Sequence, residues 1–238
     1  MGKIGAVTYT LWCAIVFSGI FLLLFPFYAL IIPFQKLHHW SYQLNKVWAH
    51  TALFLVGIKA EIIGLEKLDK NKQYVYCSNH FSLLDILSFG FAPHCVLFVG
   101  KASLAKVPLF GWMFKKIHIT VNRASVRNSY LALQTALKKM GDDKSLVMFP
   151  EGGVYTKAPP KMVRFKDGAF RAAITKQIEI VPVSLPDNWI ILPDESVPLI
   201  KRRRMRMYFH EPISTKGYEM EKVEDLKKQV FETIESEL

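Results

Sequence analysis

Residues 4–35 contain no charged side chain, and 11–32 consist mainly of Leu, Ile, Phe, Val and Ala. An apolar run of this length exceeds the ~20 residues a helix needs to cross a bilayer core, so the segment is expected to be a membrane element. A secretory signal would have a shorter apolar region, about 7 to 15 residues, followed by a small-residue cleavage site, and none follows here, so the segment is expected to be retained. Pro26 falls inside the run, where a proline removes one helical hydrogen bond and clashes with the preceding turn. A bent helix or a re-entrant hairpin therefore fits as well as a straight span. Residues 35–50 then mix Trp40, Tyr42 and Trp48 with Lys36, His38, His39 and Lys46. That blend suits a headgroup boundary, and it suits equally an amphipathic helix packed on a domain.

The remaining chain has a different texture. Short apolar runs at 74–77, 96–99, 117–121, 146–149 and 178–184 have the length of buried strands. Helical patterns alternate with several of them, most clearly at 128–140, where Tyr130, Leu133, Leu137 and Met140 recur at helical spacing before Gly141. Such alternation predicts an α/β fold with a mixed, largely parallel sheet flanked by helices. In 219–238, Val223, Leu226, Val230, Phe231 and Ile234 share one face and predict a covering helix. No repeat or linker marks a second domain, so the expected organisation is a membrane-embedded and interfacial helical segment over 1–50 and one α/β domain over 51–238.

Charge narrows the partners. The balance of 31 Lys+Arg against 20 Asp+Glu, formally +11, favours an anionic surface, an acidic carrier or a nucleic acid. The run Lys201-Arg202-Arg203-Arg204-Met205-Arg206 would suit anionic headgroups, at about 1 kcal/mol per nearby cation. No aromatic stacking platform or zinc-finger pattern accompanies it, and its alternation into Tyr208-Phe209 reads as a strand with one solvated face. The expected partner is thus a lipid bilayer rather than nucleic acid. Cys13, Cys77 and Cys95 cannot all pair within the chain and match neither zinc-site nor CxxC spacing, which points to a reducing, cytoplasmic compartment.

Reactive chemistry concentrates in Ser78-Asn79-His80-Phe81-Ser82-Leu83-Leu84-Asp85, where an apolar strand gives way to a helical pattern. On one continuous helix, residues five apart point about 140° from each other, so His80 and Asp85 would not meet. If Ser82 caps the helix, Asp85 lies in its first turn, and the imidazole of His80 can fold back over that turn. A histidine beside a carboxylate is suited to take a proton from a hydroxyl at neutral pH, with the carboxylate fixing the tautomer. The same residues also fit an ordinary capping box beside a turn histidine. Further along, Phe149-Pro150-Glu151-Gly152-Gly153 follows another apolar strand, and paired glycines there let backbone N–H groups approach an anion. Lys101 and Arg123 place cations around the strand at 117–121.

Taken together, these segments resemble the glycerolipid acyltransferase family, to which the lysophosphatidic acid acyltransferases belong. Asn79, His80 and Asp85 match its Asn-His-four-residue-Asp motif. Gly111 through Ile117 and Ile119 to Arg123 is similar to its second motif, Phe149 to Gly152 to its third, and Val181-Pro182-Val183 to its fourth. Phe165-Lys166-Asp167-Gly168-Ala169-Phe170 resembles the segment between the last two. The resemblance implies that His80 and Asp85 are the catalytic pair, that Glu151 and Gly152 shape the acceptor site, and that Lys101 and Arg123 bind the acceptor's phosphate. An N-terminal membrane helix or hairpin is also implied. One departure concerns the third motif: family members with phosphate acceptors commonly continue Glu-Gly-Thr-Arg, whereas this chain reads Glu151-Gly152-Gly153-Val154. Arg164, Lys157 or Lys161, around Pro159-Pro160, would then replace that arginine, or the acceptor carries another head group.

The expected function is transfer of a fatty acyl group from acyl-CoA or acyl carrier protein to a lysolipid hydroxyl, with 1-acylglycerol-3-phosphate as the first acceptor. An amino-acid-based lysolipid is the alternative acceptor, and a non-catalytic membrane-surface protein is the alternative of another class. Beyond the thioester co-substrate, no metal or redox cofactor is implied.

Overall fold

The structure is a computed structural model that describes residues 2–122 and 125–238. The N-terminal run forms one helix, α1 (Lys3–Ile31), which continues through Pro26. The chain reverses over residues 32–37 and returns as α2 (His38–Leu55). Contacts between the two show an antiparallel hairpin: the Tyr9 hydroxyl donates to the Val56 carbonyl at 2.8 Å, the rings of Phe17 and Trp48 lie 4.4 Å apart, and the Tyr28 hydroxyl donates to Asn45 Oδ1 at 2.6 Å. The apolar run itself is therefore neither broken nor turned back at Pro26, and the hairpin is made with the following amphipathic helix, the reversal lying at 32–37. Phe21 and Tyr28 are buried on either side of Pro26, and this packing carries the helix past the missing hydrogen bond.

The remaining elements are β1 (Ala60–Ile63), β2 (Val75–Ser78), α3 (Leu84–Ser88), β3 (Val96–Lys101), α4 (Phe110–Ile117), β4 (Ile119–Val121), α5 (Val126–Met140), β5 (Ser145–Met148), α6 (Gly168–Lys176), β6 (Ile180–Ser184), α7 (Asn188–Ile191), β7 (Met205–Phe209) and α8 (Val223–Glu235). Among the described residues the strands form one sheet in the order β1-β7-β6-β2-β5-β3-β4. Every neighbouring pair is parallel except β6 with β7, which is the mixed, largely parallel sheet the alternation predicts. The expected strand at 117–121 is shorter, because Ile117 closes α4 and turns its side chain into the core. β1 escapes sequence reading, since its Ala-Glu-Ile-Ile is half-buried and shows no alternation.

Alternation along the strands builds two cores. Val75, Cys77, Leu97, Leu146 and Ile180 face α5, α6 and α8. Tyr74, Tyr76, Val96, Phe98, Val147, Val181 and Val183 face the opposite side, with Tyr42 of α2 and Phe114 of α4. The α1 helix forms an outer layer over α2 and α4, where Phe21, Tyr28, Trp48, Met113 and Ile117 cluster. At Gly90 the hairpin and the domain approach closely, for a Cβ there would lie 2.4 Å from that of Ala49.

The basic run at 201–206 does not form one free cationic face. Arg202 Nε donates to the Gly57 carbonyl at 3.0 Å, Arg204 pairs with Glu61 at 2.9 Å, and Arg206 forks onto both oxygens of Asp187 at 2.6 and 2.7 Å. Arg206 stands on β7, whose alternating burial matches the strand expected there.

Candidate active site

Five strands, β2 to β6, run in one direction, and the loops leaving their carboxyl ends gather the polar residues, as in other parallel sheets. β2 ends at Ser78, and Asn79 next to it ties the loop to the neighbouring strand. Asn79 Oδ1 accepts from the Leu185 N–H at 2.8 Å while its amide donates to the Leu185 carbonyl at 3.0 Å. His80 follows in the loop, before the helix that carries Asp85, as the spacing requires.

Asp85 reaches back from the first turn of α3. Its Oδ2 accepts from His80 Nδ1 at 2.9 Å and from the backbone N–H groups of Phe81 and Ser82, each at 2.8 Å. The capping contacts and the histidine–carboxylate contact therefore share one oxygen: the carboxylate satisfies the helix entry and holds the imidazole together. Ser82 completes it, with Oγ accepting from the Leu84 N–H at 3.1 Å and donating to the Leu192 carbonyl at 2.6 Å. Because a carboxylate only accepts, His80 Nδ1 carries the proton and Nε2 is left as the basic nitrogen. The ring is stacked on Phe149 with centroids 4.1 Å apart, which restricts its rotation.

Glu151 is 1% exposed. Its Oε1 accepts the backbone N–H of His80 at 2.8 Å and its Oε2 that of Val163 at 3.0 Å. Burial pushes its carboxyl above the usual range, opposed by these two N–H donors and by His80. It thus braces the loop that carries His80, tying it to the segment around Val163. Gly152 takes a left-handed conformation at φ 83°, which glycine adopts without strain. A Cβ on Gly152 would lie 2.6 Å from Lys166 Nζ, and one on Gly153 2.9 Å from Cζ of Tyr155.

Lys101 ends β3 with an exposed side chain, and Arg164 is exposed in the loop before α6. Neither bonds to His80, Asp85 or Glu151 among the described residues. Arg123 lies outside those residues. The cation found beside the glycines is Lys166, whose backbone N–H donates to the Pro150 carbonyl at 2.8 Å and whose ammonium stands 5.4 Å from the centre of the Tyr155 ring. Sequence reading did not assign Lys166 a role. Its signal was its place in Phe165-Lys166-Asp167-Gly168, but no spacing rule places that segment against Gly152.

Next to the dyad lies an apolar cavity of about 680 Å³, walled by α1 and α2 on one side and by α3, α4 and β3 on the other. Phe17, Trp48, Leu84, Leu87, Phe98 and Phe110 are among its lining. Leu84 flanks Asp85 in sequence, so the cavity runs alongside the helix that carries the carboxylate.

A model of the acyltransferase family matches residues 59–186. The chain is 28% identical over 218 residues to a 1-acyl-sn-glycerol-3-phosphate acyltransferase of Chlamydomonas reinhardtii, covering 90% of this chain and 64% of that protein. It is 29% identical over 192 residues to a chloroplastic 1-acyl-sn-glycerol-3-phosphate acyltransferase of Arabidopsis thaliana, covering 79% and 52%. With the 1-acyl-sn-glycerol-3-phosphate acyltransferase of Saccharomyces cerevisiae it shares 30% over 205 residues, covering 84% and 66%. The chain therefore spans roughly half to two thirds of the length of these relatives. The crystal structure of the 1-acyl-sn-glycerophosphate (LPA) acyltransferase of Thermotoga maritima superposes with a TM-score of 0.78 at 24% identity, covering 98% of this chain and 95% of that one, which shows a shared fold. The family match takes in more than half of the chain, with His80, Asp85 and Glu151 inside it, and the chain belongs to the acyltransferase family.

Proposed function

We propose that the protein transfers a fatty acyl group from a thioester donor, acyl-CoA or acyl carrier protein, to the hydroxyl of 1-acylglycerol-3-phosphate, giving phosphatidic acid. The observation that carries the reading is the His80–Asp85 pair at 2.9 Å, buried beside a cavity large enough for an acyl chain and within the roughly 300–1,000 Å³ of ligand sites. His80 Nε2 takes the proton of the acceptor hydroxyl as its oxygen attacks the thioester carbonyl. Backbone N–H groups after Glu151 or the Lys101 ammonium stabilise the oxyanion. The tetrahedral intermediate then collapses, the C–S bond breaks, and the leaving sulfur receives the proton held on Nε2. Asp85 holds the tautomer throughout and stabilises the imidazolium.

Two features support action at a bilayer. α1 leaves large apolar side chains exposed along its length, Ile4 at 85%, Leu23 at 75% and Leu30 at 68%, and an apolar face of that size is a membrane or partner surface. Its 29 residues span about 43 Å, enough to cross or to lie within the hydrocarbon layer. Cys13, Cys77 and Cys95 are free thiols, in keeping with a catalytic domain in a reducing, cytoplasmic compartment. Lys166 beside Gly152 supplies a cation near the position where the family's arginine is missing, which supports a phosphate acceptor.

Gly153-Val154 in place of Thr-Arg favours a second acceptor, an amino-acid-based lysolipid. Thiol release by the purified protein separates the two: the reading requires release with lysophosphatidic acid, and release only with the amino-acid lipid would replace it.

A further inference from the structure

Asp85 has a second oxygen, and its partner is a residue no motif contains. Asn188 opens α7, 103 positions along the chain from Asp85, and its amide Nδ2 donates to Asp85 Oδ1 at 2.9 Å and to Ser88 Oγ at 2.9 Å. Asn188, Asp85 and Ser88 are each 0% exposed. Ser88 Oγ already donates to the Leu84 carbonyl at 3.0 Å, so it receives from Asn188, and the orientation of the amide is fixed: turned over, its oxygen would face the carboxylate. The side-chain oxygen of Asn188, Oδ1, is buried with no partner among the described residues. A buried amide with an orphaned acceptor costs stability, which suits a group kept for its two donors rather than for packing. Its helix is clamped from behind, since Asp187 accepts the forked bonds of Arg206.

We propose that Asn188 is a positioning residue of the catalytic pair, holding Asp85 Oδ1 so that Oδ2 alone faces His80 Nδ1. The proposal rests on the acyl-transfer reading for its kinetic consequence but not for its geometry. Oδ2 is filled by three donors. Without Asn188, Oδ1 would be a bare anionic acceptor in the interior, and the carboxylate would rotate to share the available donors, loosening the imidazole. The titratable and charged groups around the contact are His80 in the loop after β2, Glu151 in the loop after β5, and the Asp187–Arg206 pair from the α7 entry and β7.

Full-length protein in detergent, with Asn188→Leu and Asn188→Asp, provides the test. Asn188→Leu is expected to lower kcat about ten- to hundredfold, the usual effect of losing a hydrogen bond to a charged group, with KM for both substrates little changed. Asn188→Asp is expected to retain activity only where His80 is neutral while the new carboxyl is still protonated and donates its O–H to Asp85, and to lose it as that carboxyl ionises, moving the basic limb of the pH profile down by at least a unit. Independently of turnover, imidazole nitrogen NMR, with His80 assigned by its absence in His80→Ala, should show a pure Nδ1–H tautomer in the wild type and a tautomer mixture in Asn188→Leu. Should Asn188→Leu fail to fold, the near-isosteric Asn188→Asp decides by its pH profile and its pH-dependent tautomer. Wild-type kcat, pH profile and tautomer in the variants would overturn the proposal. A wild type that transfers no acyl group would defeat the functional reading while leaving the NMR comparison to judge Asn188.

Discussion

Glu151 accepts the backbone N–H of His80 at 2.8 Å, with the other oxygen on the N–H of Val163 at 3.0 Å. The Phe-Pro-Glu-Gly segment and the Asn-His segment, 71 positions apart, are therefore two halves of one brace. The carboxylate fixes where the imidazole starts, and Asp85 fixes where it points.

Glu151→Gln should consequently impair the enzyme although the side chain keeps its size. A glutamine offers one acceptor oxygen and an NH2 group that only donates, so one of the two N–H groups would face that NH2. Leaving a buried donor unsatisfied costs about 1–3 kcal/mol, and a comparable loss in kcat/KM, roughly ten- to hundredfold, is expected in steady-state assays. An unimpaired Glu151→Gln enzyme would show that the brace does not matter to turnover.

Asp85→Asn is expected to fall further, because an amide can no longer accept from His80 Nδ1 and from the N–H groups of Phe81 and Ser82 through one charged oxygen. Disturbing a histidine's tautomer through its carboxylate can cost about 10⁴ in kcat. Single-turnover acyl transfer measures this directly, and thermal melting should show a loss of helix capping as well.

Filling the cavity should shorten the acyl chain that is accepted. Ser18 lines it from α1, and Ser18→Trp is expected to reduce kcat/KM for long-chain donors more than for short ones. Each methylene left unburied forfeits about 0.8 kcal/mol, roughly fourfold in rate. A uniform loss across donor lengths would place the chain elsewhere.

His118 predicts a pH dependence of stability. It is buried at the junction of α4 and β4, and burial, helped by Lys139, lowers its pKa to about 3. The unfolded chain binds a proton near pH 6.5 that the folded one refuses, so this contribution is complete above pH 6.5 and is lost as pH falls toward about 3, by roughly 1.4 kcal/mol per unit. Denaturant melts between pH 7 and 5 should show a shallower decline for His118→Gln than for the wild type. His94 and His210, also lowered by burial, act in the same sense in both proteins and cancel in the comparison.

Acceptor charge can be read through Lys166. Lys166→Met is expected to raise KM for lysophosphatidic acid about tenfold while sparing an acceptor without phosphate. The comparison with Lys101→Met in the same assay tells which cation faces the head group.

What the sequence made legible was local. The parallel strands were visible because both their faces are buried, so their residues are apolar without interruption, as in Val75-Tyr76-Cys77. The dyad was visible because a capping geometry brings together two residues five apart. Asn79 and Glu151 were legible as motif residues but their contacts were not, and Asn188 was missed, since Asn79 to Leu185, Glu151 to His80 and Asn188 to Asp85 join segments that follow different strands, and one sequence carries no signal for which of these will adjoin. The basic run misled in part for a similar reason: Glu61 and Asp187, remote in sequence, neutralise Arg204 and Arg206, and only the folded arrangement reveals them. β1 was missed because an edge strand of three half-buried residues and one exposed one has no period to detect.

The central claim is that His80 Nε2 is the base that activates the acceptor. Its most direct test is thiol release from acyl-CoA and acyl carrier protein by purified full-length protein given lysophosphatidic acid, with His80→Ala alongside. The account predicts acceptor-dependent release by the wild type and a loss of at least about 10²–10⁴ in kcat for a folded His80→Ala. Normal turnover by that variant would contradict it.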